Sequence, residues 1–174
     1  GAISAMAHKG DEIFQDKLNH ASLIDGGRLS GAQVKRFVHG DMGQLKQLLE
    51  GSSTRRKLVV SDGVFSMDGD EANMQGLVGL TETSNAMLMI DDAHGLKQEI
   101  WEALENAMAG GATRLLASCN PVVASGEIYE AMTSKRGKYN VLRIPADITP
   151  NVKDGKIIIP GMITKDTVAR WIQE

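Results

Sequence analysis

Apolar and polar positions alternate along this chain with two rhythms. Short, nearly continuous apolar runs, "LVV" at 58–60 and "MLMI" at 87–90, read as strands buried on both faces. In other segments the apolar residues recur every three or four positions. "DMGQLKQLLE" puts Leu45, Leu48 and Leu49 on one helix face, with Asp41 placed as its cap. "KQEIWEALENAM" does the same with Ile100, Trp101, Leu104 and Met108, and the "GG" behind it marks a stop. "DEIFQDKL" and "AQVKRFVH" read as shorter strands, and "NHASLIDGGRLSG" as a turn and helix weakened by Gly26 and Gly27. "ANMQGLVGLTETS" is a further helix. The alternation continues through "TRLLASCNP", a strand ended by Pro121, "SGEIYEAMTS", a helix with Ser125 as its cap, and "YNVLRIP", a sixth strand. "KIIIPGMI" reads as a short edge strand and "TKDTVARWIQE" as a terminal helix from Thr164.

Buried strands that alternate with amphipathic helices imply βα units. The expected fold is α/β: a three-layer αβα sandwich around a mainly parallel sheet of five or six strands, including 58–61, 87–91, 114–118 and 140–144. One domain is expected over residues 10–174. The opening "GAISAMA" is small and featureless, so residues 1–9 are set aside as a disordered tag remnant.

Composition narrows the function classes. A formal net charge of −3 and a pI near 5.8 argue against a dedicated nucleic-acid or membrane binder. "STRRK" at 53–57 is the densest basic run, and before a strand it reads as a solvated loop. No apolar run approaches the length of a membrane span. A lone cysteine, Cys119, excludes an internal disulfide and fits a reducing compartment, the cytoplasm under recombinant expression. The histidines and cysteine show no zinc spacing, and no metal ligand set is expected. "DGDEAN" at 68–73 reads as a turn, because its glycine is misplaced for a calcium loop. Neither GxxxxGK[ST] nor GxGxxG occurs. Polar residues gather at strand ends instead: Asn19 and His20, His39, Asp62, Ser66, Asp91 with Asp92 and His94, and Cys119 with Asn120. Ligands of parallel sheets sit at that edge, although any one such residue is more often a cap or turn residue.

Four segments, "DEIFQDKLNHASLIDGGRLSGA", "VKRFVHGDM", "KLVVSDGVFSMDGD" and "LMIDDAHG", come in order and at family spacing. Through them residues 10–95 closely resemble the α-oxoamine synthases, pyridoxal-phosphate (PLP) enzymes of fold type I. The resemblance implies that His20 stacks on the pyridine ring and that Ser66 and His94 lie near its phenolic oxygen. It implies that Asp91 pairs with the pyridinium nitrogen, keeping the ring an electron sink. Past Gly95 the family pattern stops. Lys97, Lys135, Lys138, Lys153, Lys156 and Lys165 lack the context of a Schiff-base lysine, and the upstream glycine-rich phosphate segment is absent.

Residues 96–174 resemble a different family, the phage terminase large subunits, in "IWEALENAMAGGATRLLASCNP", "SGEIYEAMTSKRGKYN" and "ITPNVKDGKIIIPGMITKDTVARWIQE". "SCNP" would correspond to that family's coupling motif. Both families share a strand–acid–turn unit, which puts a seam at Asp91 to Leu96. The expectation is therefore an engineered chimeric α/β protein without evolved catalytic function, catalytic residues or cofactor. Two alternatives stand beside it. One is a residual PLP-binding transferase using His20, Ser66, Asp91 and His94. The other is a nucleotide or magnesium binder, an ATPase remnant using Asp91, Asp92 and Asn120. No nucleic-acid or membrane partner is expected, and apolar surface left by missing parts leaves a homodimer or strand-swapped oligomer open.

Overall fold

The structure, a computed structural model, describes residues 1–67, 69–109, 114–120, 124–159 and 162–173. It contains β1 (Glu12–Asp16), β2 (Gln33–Phe37), β3 (Lys57–Asp62), β4 (Met87–Asp91) and β5 (Arg114–Ala117). Helices α1 (Ala2–Met6), α2 (Ala21–Leu29), α3 (Met42–Glu50), α4 (Met74–Thr83) and α5 (Gln98–Ala109) alternate with them. Helices α6 (Glu127–Met132), α7 (Pro150–Lys153) and α8 (Lys165–Gln173) follow. The chain divides into two compact units, Gly1–Glu130 and Ala131–Glu174, where the sequence predicts one domain.

In the first unit the five strands form one sheet in the order β2-β1-β3-β4-β5, every pair parallel. Their side chains alternate between two cores, as the two-residue strand period requires. Phe14, Val59, Leu88 and Ile90 face one core, where α3, α4 and α5 contribute Leu45, Leu49, Met74, Leu77, Trp101 and Leu104. Ile13, Leu58, Val60 and Met89 face the other, covered by Ile3 and Leu23 of α1 and α2. This is the expected three-layer arrangement with a five-strand parallel sheet. Ile100 joins the packing of α5, while Met108, expected beside it, is half-buried and outside that cluster.

Gly27 costs helix propensity, and its position shows why a side chain does not fit. A Cβ there would lie 2.8 Å from Gln15 Nε2, which donates to the Leu23 carbonyl at 2.7 Å. Residues 1–9 need correcting. They are no loose remnant: α1 buries Ile3, Ala7 is buried just after it, and Arg56 Nη2 donates to the Met6 carbonyl at 3.0 Å. One apolar face on a five-residue helix is enough to dock it on α2.

The predicted cap Asp41 accepts the Gln44 N–H at 2.8 Å, and Thr164, read as the start of the terminal helix, accepts the Thr167 N–H at 3.3 Å just before α8. Ser125 is not the cap of α6; the Gly126 carbonyl receives the Glu130 N–H. The helix stop at Gly110 and Gly111 and the strand end at Pro121 lie outside the described residues, as do Pro160 and Gly161.

The second unit contains no strand among its described residues, so 140–144 and 156–159 correct the sequence expectation. Asn151 supplies the reason for the latter. Its Oδ1 accepts from the Ile158 and Ile159 N–H groups, each at 2.8 Å, and its Nδ2 donates to the Ile159 and Met162 carbonyls. One buried amide thus takes main-chain groups that a strand would offer to a ladder. For 140–144 no ladder forms, and Leu142 and Ile144 stay exposed.

Candidate functional site

Chain order and strand order part company at β1. The chain runs from β1 outward to β2, then crosses back to β3 on the other flank of β1. In doubly wound sheets ligands bind at such a switch, outside the carboxyl ends of the strands. The carboxyl ends of β1, β3 and β4 here carry Asp16, Asp62 and Asp91.

The β1 end turns into α2 through Asn19 and His20. Asn19 is buried and ties this turn to β3, donating from Nδ2 to the Val60 carbonyl at 2.9 Å and accepting the Asp62 N–H at 3.2 Å. The next amide, His20 N–H, donates to Asp62 Oδ2 at 2.6 Å. His20 caps α2 through Nδ1, which meets Ser22 Oγ at 2.8 Å, and its side chain is exposed at the edge.

Asp62 is the buried centre of this edge. Its other oxygen, Oδ1, is buried with no hydrogen-bond partner. Burial pushes its carboxyl up to about 6; the His20 N–H opposes that, and the charges of Asp91 and Asp92 add to it. Asp62 and Asp91 are register partners on adjacent strands. Asp91 is half-buried, and its Oδ1 accepts from Ser118 Oγ at 2.6 Å. Gly63 follows Asp62 because a Cβ there would come within 3.2 Å of the Asp91 carbonyl oxygen, to which the Gly63 N–H already donates.

Asp92 adopts a left-handed backbone, φ 51°, and leads into a 3-10 turn, Ala93–Gly95. His94 is exposed on that turn, while Ala93 and Leu96 are buried around it. The Ala93 N–H donates to the Ser118 carbonyl at 3.1 Å. Cys119 lies half-buried just beyond, its thiol pushed up by burial and by Asp91 and Asp92. Asn120 is exposed.

Ser66 sits exposed in the loop from Gly63 to Ala72. That loop is closed by the Val64–Glu71 bridge and by the Phe65 N–H, which donates to the Asp70 carbonyl at 2.9 Å. Thus His20 and Asp91 flank Asp62 on adjacent strand ends, with Ser66 and His94 on the loops that leave those ends. The sequence marked Asp62 and His39 as strand-end residues without giving them a role, and it passed over Asp16. Its only trace is an acid ending the run "EIFQD".

A PLP ring needs an acceptor for its protonated nitrogen, a flat face to stack on, and donors for its phenolic oxygen. This edge offers a carboxylate pair with one orphaned buried oxygen, an exposed imidazole, and a hydroxyl and second imidazole on adjoining loops. The ring-binding groups therefore fit.

Comparison with known proteins places the chain in a family. The aminotransferase class I and II family matches residues 1–96. The 8-amino-7-oxononanoate synthase of Saccharophagus degradans is 56% identical over 95 residues, covering 55% of this chain and 24% of the synthase. The synthase of Alcanivorax borkumensis is 56% identical over 96 residues, covering 55% and 25%. The chain thus spans about a quarter of the length of these relatives. Among solved structures, the Sphingomonas wittichii serine palmitoyltransferase superposes with a TM-score of 0.57 at 34% identity, over 67% of this chain and 30% of the other. A serine palmitoyltransferase from S. paucimobilis with bound PLP–myriocin aldimine gives 0.51 at 35%, over 53% and 24%.

These findings overturn two expectations. An engineered protein without function gives way to kinship with natural synthases over more than half of the chain. The expected lack of a cofactor gives way because a solved relative of this fold holds PLP. None of these relatives is a terminase, so the terminase-like reading of 96–174 stays with its sequence motifs. The match begins at residue 1, inside the segment set aside as a tag, and runs through the supposed seam to residue 96; the chain belongs to the aminotransferase class I and II family.

Proposed function

We propose that this chain carries the ring-binding edge of a PLP-dependent transferase of the α-oxoamine synthase kind. The observation that supports it most is the buried Asp62 with its orphaned oxygen, flanked by Asp91 and by the His20 turn at the sheet's switch point. Bound PLP supplies an electron sink for negative charge that develops beside its aldehyde carbon.

The residues of this chain divide the remaining work. Asp91 accepts from the ring nitrogen, and Ser118 holds its carboxylate in place. Asp62, with its raised pKa, retains a proton at mildly acidic pH and so brings no charge of its own to the edge there. His20 offers a ring face, and its bond to Ser22 fixes the imidazole's orientation. Ser66 and His94 supply hydrogen-bonding groups for the phenolic oxygen.

Calorimetry with 4′-deoxypyridoxine phosphate tests this reading, because the compound has no aldehyde to react with exposed lysines. Saturable binding is expected, weakened about tenfold or more by Asp91→Asn and His20→Ala, equivalent to about 1.4 kcal/mol. Failure to saturate by about 1 mM, a limit of roughly −4 kcal/mol, defeats the proposal.

A nucleotide or magnesium site built on Asp91, Asp92 and Asn120 has less support. No group of three or more His, Cys, Asp or Glu is placed to hold a metal among the described residues. Self-association remains part of the proposal, on the strength of the exposed Leu142, Ile144 and Ile157. Sedimentation velocity at rising concentration tests it, and a monomer throughout counts against it.

A further inference from the structure

His39, just beyond β2, stands between two carboxylates that come from distant parts of the chain. Its Nδ1 lies 3.1 and 3.2 Å from the two oxygens of Asp16, and its Nε2 lies 2.8 Å from Asp70 Oδ2. A carboxylate only accepts, so each ring nitrogen must carry a proton to make both bonds. A neutral imidazole has one N–H and would turn a lone pair toward one of the acids.

Asp16 is buried at the β1 end and is already fixed by the Leu18 N–H at 2.8 Å and the Gly40 N–H at 3.0 Å. Asp70 is exposed and belongs to the Gly63–Ala72 loop. The same imidazole packs edge-on against Phe65 of that loop, with ring centroids 4.4 Å apart. His39 therefore grips the loop at two points and the sheet at one.

We infer that His39, as an imidazolium, is the positioning residue that fixes the Gly63–Ala72 loop, with Ser66 on it, to the carboxyl edge of β1. Calling the loop cofactor-facing rests on the proposed PLP reading; the grip itself does not. Burial opposes charge on His39, but the hydrogen bonds and charges of Asp70 and Asp16 outweigh it and hold the imidazole above the ordinary histidine value. Charged groups on the elements around it include Arg36 of β2, whose Nη2 donates to the Lys17 carbonyl at 2.6 Å, Lys35, which pairs with Glu12 of β1 at 2.8 Å, Asp41 capping α3, and Glu71, which pairs with Lys97 at 2.9 Å. The grip is complete at acidic pH and is lost as pH rises through the raised pKa of His39.

Amide hydrogen exchange of the whole chain tests this, with Asp70→Asn as the principal variant because Asp70 is exposed and its main-chain carbonyl is untouched. At pH 6, Phe65, Gly69 and Ala72 amides should lose about tenfold in protection in Asp70→Asn and in His39→Gln, while Val59 and Val60 of β3 keep theirs. In the parent chain, protection of those loop amides, corrected for intrinsic exchange, should fall about tenfold as His39 titrates, followed by its ring resonances. In Asp70→Asn that pH dependence should vanish and the His39 pKa should drop. Equal loop protection in parent and Asp70→Asn, or a loop insensitive to the His39 titration, overturns the inference. Titration with 4′-deoxypyridoxine phosphate on the same samples separates the two proposals: an intact grip without ligand binding defeats only the PLP reading.

Discussion

Gly1–Glu130 and Ala131–Glu174 draw on the same aliphatic residues and use them in opposite ways. In the first unit Ile13, Phe14, Val59 and Leu88 are wholly buried, because parallel strands give each of them a face to share with a helix. In the second, Leu142 is 78% exposed, Ile144 82% and Ile157 72%. Val152 is buried there, beside the polar Asn151. Apolar content does not make a core. A core forms where hydrogen-bonded strands hold neighbouring side chains in register, and where no ladder exists a single amide can become the organising group.

The largest expected effect lies in the first unit. Trp101→Ala removes a side chain that packs in the larger core, at a cost of about 3–5 kcal/mol. Urea denaturation followed by circular dichroism measures it. A loss below about 1 kcal/mol would mean that α5 contributes little to this core, and the contrast between the units would weaken.

Next comes Asp62. Its pKa is raised to about 6 in the fold, so the folded state binds its proton more tightly than the unfolded chain does. Stability from this group is full below the ordinary aspartate value and is lost as pH rises through about 6. Asp62→Asn should therefore stabilise the protein at pH 7.5, by about 2–3 kcal/mol. The gain should fade toward pH 4. Thermal melts across that range decide it, and a variant less stable at pH 7.5 would show that the charge is wanted. Stabilisation at pH 7.5 would locate the strain of the first unit at its carboxyl edge rather than in its core.

A smaller and local effect is expected in the second unit. Asn151→Ala strands the amides of Ile158 and Ile159, at about 1–3 kcal/mol. Faster hydrogen exchange confined to those two residues would sharpen the comparison. Global unfolding would break it, because the unit would then depend on the amide as the first unit depends on its core. The smallest effect belongs to Ile144→Ser, expected within about 0.5 kcal/mol. A larger loss would mean that this exposed face is covered in solution.

Much of the first unit was legible in the sequence. The runs at 58–60 and 87–90 and the leucine spacing of α3 and α5 give strands and helices where they are found, since both periods are properties of the local backbone. The site was legible in part. "NHAS", "GVFSMDG" and "DDAHG" named the residues of one edge through their family resemblance. Asp16 and Asp70 were not legible, because nothing within a few residues of either marks it as a partner of His39. The second unit misled for the opposite reason. "YNVLRIP" and "KIIIPG" have the composition of strands, but a strand needs a neighbour to bond with, and composition does not supply one.

From residue 10 to the end of the first unit, the sequence by itself determined which segments coil and which extend, and it named the family that the first half follows. Only the tertiary structure decided that Asp62 would face Asp91 across two strands and keep an oxygen without a partner. It also decided that one histidine would join the ends of β1 and the β3–α4 loop. Local periodicity is set by residues a few positions apart, whereas a carboxyl's proton affinity depends on whatever the fold brings within a few ångströms of it, from any distance along the chain.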